Sequence, residues 1–163
     1  NNLFTMYVAT LAGQPSRLLK SKNYDIAFIE VLEAEKKPFI MCVGDPFQKL
    51  VPFWQLYLYA KEKGYNDFYA DLMEYMRNHP HKGTGNASIH NMYEFAKVSC
   101  DLQKTDLPEF FQAWGFFETG KFHIGDYADY NFDVTPQMVE DTKEYIASKH
   151  YPKPEKDITR LTD

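Results

Sequence analysis

The sequence predicts a mainly α fold, a helical bundle-like lobe of about six to seven helices with a short extended or hairpin segment near residues 121–134. Three observations predict it. Apolar residues recur every three or four positions through most of the chain, which is the spacing of one helix face. Prolines and cap residues divide the chain into segments of helix length. One stretch, KFHIGDYADYNFDV, instead carries alternating and aromatic residues, which is typical of strands.

The N-terminal part is predicted to hold two helices. The first covers residues 1–11 and ends at the turn sequence of residues 13–16. Its predicted inner face consists of Leu3, Phe4, Tyr7, Val8 and Leu11. The second helix covers residues 25–36, and its predicted inner face consists of Phe28, Ile29 and Leu32.

The next helix is predicted from its N-cap, Asp45, to about residue 63, with Pro46 at its first position. It is apolar nearly all round, and such a helix is usually buried on most sides. Pro52 lies inside it, so we expect a kink there or a start one turn later.

Four further helices are predicted after residue 63. Asn66 caps a helix over residues 67–78, and another covers residues 88–102. Asp106 caps a short aromatic helix that Gly115 closes. The last helix runs from Thr135 to about residue 149. Residues 1–150 are therefore predicted to form one helical subdomain, and the proline-containing residues 151–163 a linker or tail.

The composition excludes some classes of function. The formal net charge is -5 and no basic patch is present, so nucleic acid is not a predicted partner. No apolar run approaches the roughly 20 residues of a membrane span, so no transmembrane segment is predicted. The chain opens without Met and without a signal peptide, so we expect it to begin inside a longer polypeptide.

The two cysteines, Cys42 and Cys100, are too few for a disulfide framework. Both lie in apolar surroundings, which favours two buried free thiols. A single bridge between them stays open. A catalytic pair of Cys100 with His90 has no supporting motif, so no catalytic residue is predicted in this chain.

No metal site is predicted in this chain either. His79 and His81 form the only close histidine pair, and no second cluster completes a zinc site. The D-x-N-x-D spacing of residues 129–133 matches a calcium loop. However, Val134 stands where that loop needs glycine for a sharp turn.

Trp54 and Gln55 are the candidate substrate-binding residues. They lie on an apolar helix, where a buried indole N–H and a buried amide must find hydrogen-bond partners. A substrate groove would supply these partners, and so would a helix end. The other aromatic residues of the segments 50–60 and 106–117 are predicted to be mostly core, with a few at the rim of a glycan platform.

Several unusual aromatic motifs occur in one order along the chain: LVPFWQLYLYA, YNDFYADLMEYMR, NMYEFAKVSCDLQKTDL, DLPEFFQAWGFF and IGDYADYNFDVTPQMVEDTKEYI. Together they resemble the C-terminal helical part of the enhancin-like, gluzincin-type zinc metallopeptidases, which cleave mucins and other O-glycosylated proteins. The similarity extends over most of the chain. The opening NNLFTMYV looks like the segment directly after that family's third zinc ligand.

The resemblance implies that the chain is part of a secreted or bacterial cell-surface hydrolase, with zinc in the parent protein and none bound by this chain alone. The H-E-x-x-H motif of such enzymes is missing from this sequence, and the resemblance places it before Asn1. Asn1 and Asn2 would then lie near the metal, behind its ligands. The implied partners are a glycoprotein or glycopeptide substrate and the missing N-terminal lobe of the same protein.

Under this hypothesis the chain forms the helical wall behind the active site, is inactive alone, and exposes an apolar face where the missing lobe packs. An alternative is a non-catalytic carbohydrate- or protein-binding helical module, which predicts exposed Trp or Tyr side chains. A helical scaffold without a ligand predicts that every aromatic side chain is buried.

Overall fold

The computed structural model describes residues 2–35, 38–41, 45–125 and 128–163. Within these residues the chain forms eight α-helical segments and one hairpin: α1 (Asn2–Leu11), α2 (Asn23–Ala27), α3 (Pro46–Lys49), α4 (Val51–Glu62), α5 (Phe68–Asn78), α6 (Ile89–Gln103), α7 (Pro108–Ala113), β1 (Gly120–Gly125), β2 (Asp129–Val134) and α8 (Pro136–Ala147). Only Leu50 separates α3 from α4. Counted as one interrupted helix, they leave seven helices in the described residues. The prediction of a mainly α fold with six to seven helices is confirmed.

The break between α3 and α4 follows from the prolines. The Asp45 carboxylate accepts a hydrogen bond from the Phe47 N–H at 2.7 Å and so caps α3, as predicted. Pro52 falls in the first turn of α4, where a missing N–H has no helical partner to lose. The later start expected from Pro52 is therefore confirmed.

The core is aromatic and lies among α4, α6, α7 and the turn after α7. Its largest fully buried side chains include Trp54, Trp114, Phe68, Phe111 and Phe116. The Phe116 ring stacks on Phe39 at 4.6 Å between centroids and contacts the rings of Phe53 and Phe111. Both aromatic segments identified in the sequence therefore supply the core.

The hairpin lies where it was predicted. β1 pairs antiparallel with β2, with Gly120 opposite Val134 and Gly125 opposite Asp129. Phe132 and Val134 point inward, whereas the polar residues of the D-x-N-x-D sequence are exposed. The calcium-like spacing therefore arises from the two-residue alternation of a strand.

The predicted inner face of the first helix is right only in part. Leu3 and Tyr7 pack against the core beside the buried Met6. Phe4, Val8 and Leu11, by contrast, are 68%, 45% and 68% exposed, so the described chain leaves this part of the apolar face uncovered.

The second helix also differs from its prediction. It starts at Asn23, and after Ala27 it widens into a π-helical turn, Phe28–Leu32, closed by a hydrogen bond from the Glu33 N–H to the Phe28 carbonyl. Because a π turn shifts the register of a helix face, Val31 is buried and Ile29 is 60% exposed.

Two predicted helix caps are wrong. α7 begins at Pro108, and Asp106 instead donates its backbone N–H to the Pro152 carbonyl at 2.9 Å. α5 begins at Phe68, after Asp67 and not after Asn66. Gly115 does follow α7 with a φ of 77°, a conformation that favours glycine.

Residues 151–163, predicted to be a linker or tail, have no regular secondary structure and lie against the helical lobe. Ile158 is buried in the core. The residues that follow it hydrogen-bond to α4 and to the N-terminal part. The boundary at residue 150 stays a prediction.

Candidate functional site

The residues predicted as site residues belong to the start of the chain and to α4, and α1 contacts α4 through one pair of rings. Met6 is 1% exposed, and the Tyr7 ring meets the Tyr57 ring edge-on, with 5.6 Å between centroids. Asn2 is exposed at the first residue of α1. Asn1 lies outside the described residues, so the closeness of Asn1 and Asn2 to a metal stays a prediction.

Trp54 and Gln55 are both fully buried on α4. The Gln55 amide nitrogen donates to the carbonyls of Thr159 at 2.7 Å and Leu161 at 3.1 Å. The Gln55 amide oxygen and the Trp54 indole N–H have no hydrogen-bond partner among the described residues. Their substrate-binding role stays a prediction, and any such role acts through the residues packed on them, because neither side chain has exposed surface.

The contact of Gln55 belongs to a longer connection, the C-terminal strap, which we define as residues 158–163. The Asp163 carboxylate accepts hydrogen bonds from the Ser16 N–H at 2.9 Å, the Ser16 hydroxyl at 2.7 Å and the Tyr24 hydroxyl at 2.8 Å. Burial and this carboxylate raise the pKa of Tyr24 well above its ordinary value. The strap therefore ties the N-terminal part of the chain to α4.

The outer side of α1 carries an apolar surface, the α1 stripe, formed by Phe4, Val8 and Leu11. The spacing of four and then three residues places all three side chains on one side of the helix. Phe4 and Leu11 are each 68% exposed. Contiguous exposed apolar surface on a folded protein is typical of a surface that another body covers.

The described residues contain no group of three or more His, Cys, Asp or Glu side chains that could hold a metal ion. The His79 ring stacks on Tyr75 with 3.8 Å between centroids, and its Nδ1 lies 2.8 Å from the Tyr75 carbonyl oxygen. His123 lies beside Asn131 on the hairpin. The described part of the chain thus does not fit a zinc centre, and no hydrolytic step follows from its residues.

Cys100 is a buried free thiol, and burial raises its pKa to about 12. A thiol with that pKa is protonated at neutral pH and is a weak nucleophile. His90 lies ten positions earlier on α6, about 15 Å along the helix axis. Cys42 lies outside the described residues, so its pairing stays open.

The aromatic side chains are distributed unevenly between core and surface. Trp54 and Trp114, the two tryptophans of the sequence, are both fully buried. Phe4, by contrast, is exposed. Stacking of a sugar on an exposed tryptophan is therefore unavailable in this structure, and a lobe with every aromatic buried is also not observed.

Two groups of hydrogen bonds to aspartate carboxylates were not predicted from the sequence. Asp101 accepts hydrogen bonds from the hydroxyls of Tyr145 at 2.6 Å and Tyr151 at 2.9 Å. Asp163 accepts three from the N-terminal part. A tyrosine that packs against an apolar core still needs a partner for its hydroxyl, but the position of that acceptor depends on tertiary contacts.

Among the described residues, no helix is long and apolar enough to cross a bilayer.

Solved structures with the same fold include two proteins described as metallopeptidases. A metallopeptidase in complex with Tn antigen matches 81% of this chain at 26% identity and a TM-score of 0.70. A metallopeptidase from Bacteroides thetaiotaomicron matches 97% of it at 25% identity and a TM-score of 0.75. A conserved protein of unknown function from Bacillus anthracis str. Ames matches 99% of it at 25% identity and a TM-score of 0.72.

The chain spans only 26% to 28% of the length of these three solved chains. Among curated proteins, no sequence matches this one. A family model, described as peptidase M60, enhancin and enhancin-like, matches residues 1–115, which include α1 through α7. The chain therefore belongs to the peptidase M60 family of enhancin and enhancin-like proteins.

Proposed function

We propose that this chain is the helical wall behind the active site of a secreted or cell-surface zinc metallopeptidase that acts on mucin-like glycoproteins. The observation that carries the proposal is the match of 81% of the chain to a metallopeptidase in complex with Tn antigen. The family match over residues 1–115 supports the same class of enzyme.

The described residues lack the metal-ligating side chains of a zinc peptidase, and this limits the role of the chain in the proposed enzyme. The described residues offer no metal-ligand cluster, and the sequence has no H-E-x-x-H motif. In the proposal, zinc and the general base belong to the rest of the parent protein. This chain contributes a rigid backing, because its aromatic core fixes α4 and the helices around it.

The α1 stripe supports this arrangement. We assign its occupant to the N-terminal lobe of the same protein, since the solved chains with this fold are several times longer than the matched part. Covering an apolar side chain of this size stabilises by about 1.5–3 kcal/mol, so three such residues make a substantial lobe contact.

The alternative, a non-catalytic carbohydrate- or protein-binding module, receives less support. Its expected feature, an exposed tryptophan or tyrosine, is not found among the described residues, because Trp54 and Trp114 are buried and the described tyrosines are buried or half-buried.

The test uses the full-length protein that contains this chain. It is incubated with a peptide that carries Tn antigen and with the same peptide without the sugar, and products are measured by mass spectrometry. We expect cleavage of the glycosylated peptide and loss of cleavage after chelation of zinc. Absence of cleavage, or cleavage insensitive to the chelator, would contradict the proposal.

The lobe contact has a separate test. Phe4→Ser together with Leu11→Ser in the full-length protein should lower both its melting temperature and its peptidase activity. Met73→Ser is the matched control, because Met73 is 51% exposed on α5, outside the α1 stripe. Equal effects of the stripe variant and the control would count against the assigned occupant.

A further inference from the structure

The two outer edges of the β1–β2 hairpin differ in how their backbone groups are satisfied. The β2 edge lies against the short 3₁₀ turn Gly85–Ser88. From this turn the Asn86 side-chain oxygen accepts a hydrogen bond from the Asn131 N–H at 2.8 Å. Among the described residues, none makes an equivalent contact with β1, and β2 is its one neighbour in the sheet. The β1 edge is therefore open.

The Asn86 contact also shows which backbone groups of β1 point outward. Residues of an antiparallel pair alternate between pairs that exchange hydrogen bonds and pairs whose N–H and C=O groups point away from the partner strand. The Asn131 N–H points away from β1, so Asn131 and its partner His123 form a pair of the second kind. The same alternation places the N–H and C=O groups of Lys121, His123 and Gly125 on the open edge. These groups have no hydrogen-bond partner among the described residues.

An open strand edge can bind a further strand, because its N–H and C=O groups continue the hydrogen bonds of the sheet. The side chains of β1 are arranged in two rows for such an addition. Lys121 and His123 are exposed on the outer face, whereas Phe122 and Ile124 are half-buried and pack against the core. Alternate side chains of an added strand would lie beside each row. Those beside Phe122 and Ile124 are therefore expected to be apolar.

The outer row of β1 determines the charge that an added strand needs. β1 carries one lysine, one histidine and no carboxylate. The Lys121 ammonium lies 3.8 Å from the Asp133 carboxylate, and the His123 ring lies 3.9 Å from that of Asp129. Both pairs are long and exposed, and such pairs contribute little. Lys121 and His123 are therefore free to contact acidic side chains on the open side of the strand.

The same side chains disfavour a second copy of this chain as the added strand. Antiparallel pairing of two β1 edges would place Lys121 and His123 of both copies on one face of the joined sheet. Neither β1 has a carboxylate to receive them, and like charges that lie opposite each other destabilise a sheet. Lysine on an open edge is also one of the means by which proteins prevent pairing between copies.

We propose that the open edge of β1 binds an extended segment of another polypeptide, in which acidic and apolar residues alternate, as a third strand of the sheet. The acidic side chains lie beside Lys121 and His123, and the apolar ones extend the layer of Phe122 and Ile124. The inference goes beyond the proposed peptidase function, because it requires neither zinc nor a glycan.

The first test uses a fluorescein-labelled hexapeptide of alternating Glu and Val, and measures its binding to the full-length protein by anisotropy. A hexapeptide of alternating Lys and Val is the matched control. We expect the Lys peptide to bind about tenfold more weakly, because like charges replace opposite ones. Lys121→Glu together with His123→Glu should reverse this preference. Equal binding of the two peptides, or the same preference in the variant, would overturn the inference.

His123→Pro tests the backbone contact. It removes the outward N–H of His123 and no hydrogen bond between β1 and β2, and edge strands tolerate proline. We expect loss of Glu-peptide binding with a nearly unchanged melting temperature. His123→Ala is the control, because it removes the ring and keeps the N–H, so it should retain most of the binding. Equal binding by the two variants would rule out a strand addition at this edge.

Hydrogen exchange of the full-length protein, read residue by residue by mass spectrometry, tests the edge without any substitution. In the free protein the amides of Lys121, His123 and Gly125 should exchange fast, and those of Phe122 and Ile124 slowly. The Glu peptide should slow the first three and leave the other two unchanged. Slow exchange of all five in the free protein would mean that the parent polypeptide itself covers this edge, and the proposal of a separate partner would be overturned.

Discussion

The aromatic core and the N-terminal region, residues 2–35 and 38–41, differ in how completely their apolar side chains are buried. Of the seven exposed large apolar side chains among the described residues, six lie in the N-terminal region: Phe4, Val8, Leu11, Leu19, Ile29 and Met41. The seventh is Met73 on α5. In the core, by contrast, rings such as Phe111 and Phe116 contact several other rings each.

The two regions therefore differ in how their apolar side chains are covered. The core is stabilised by its own apolar contacts, which are numerous and close. The N-terminal region adds some buried side chains to that core, such as Phe39, but leaves others exposed, and it is also attached through the polar contacts of Ser16 and Tyr24 with Asp163. Substitutions in the two regions should separate these two kinds of attachment.

The largest expected effect is in the core. Phe111→Ala should lower the free energy of unfolding by about 3–5 kcal/mol, because it removes a fully buried ring and leaves a cavity. Urea unfolding measures it. Phe4→Ala is the control and should change stability by about 0.5 kcal/mol or less, because that side chain is exposed. Similar losses of unfolding free energy for the two variants would contradict the difference in burial between the two regions.

The next effect is at the strap. Asp163→Ala removes the acceptor of three hydrogen bonds and leaves buried Ser16 and Tyr24 groups without partners, so we expect a loss of about 2–3 kcal/mol. Hydrogen exchange should accelerate in the N-terminal region and stay unchanged in α6. Asp163→Asn keeps an acceptor and should lose less. Uniform acceleration across both regions would contradict a local attachment.

Alkaline pH should weaken the same attachment. The pKa of Tyr24 is raised in the folded chain by burial and by Asp163. Its contribution to stability is present below the unfolded pKa of about 10 and is lost as pH rises above it. The pKa values of Tyr145 and Tyr151 are raised to about 12, so the loss of folding stability continues toward pH 12.

Unfolding midpoints measured from about pH 8 to pH 11 test this expectation. Tyr24→Phe should flatten the decline, since the phenylalanine ring has no proton to release. A decline of unchanged slope in that variant would assign the alkaline loss to other tyrosines and not to the N-terminal attachment.

The smallest effect on stability is expected at the α1 stripe. In this chain alone, Phe4→Ser with Leu11→Ser should change the free energy of unfolding by about 0.5 kcal/mol or less per site. It should reduce self-association at high concentration, measured by sedimentation, because exposed apolar surface is removed. Met73→Ser serves as the comparison. Strong destabilisation by the stripe variant would mean that this face is not free in solution.

The sequence predicted the ends of helices well where they depend on interactions between neighbouring residues. Asp45 with Pro46 and Thr135 with Pro136 marked the starts of α3 and α8, because capping and the fixed φ of proline act within one turn. The alternating pattern of residues near 121–134 predicted the hairpin, because neighbouring side chains of a strand point to opposite faces.

Predictions from the sequence were incomplete where burial or hydrogen bonding depends on residues far away in the chain or on another part of the protein. Periodicity finds the apolar face of α1 but does not tell which body covers it. Gln55 was identified as a buried amide in need of partners, yet its partners proved to be carbonyls 104 and 106 residues later in the chain.

The strap also has a consequence for synthesis on the ribosome. Asp163 and Ser16 are 147 positions apart, and closing a loop of that length costs about 4 kcal/mol of chain entropy. The N-terminal region leaves the ribosome before Asp163, which follows about 10 s later at ordinary rates of translation. During that interval its apolar side chains lack their final attachment, so this region is where we expect chaperones to bind the nascent chain.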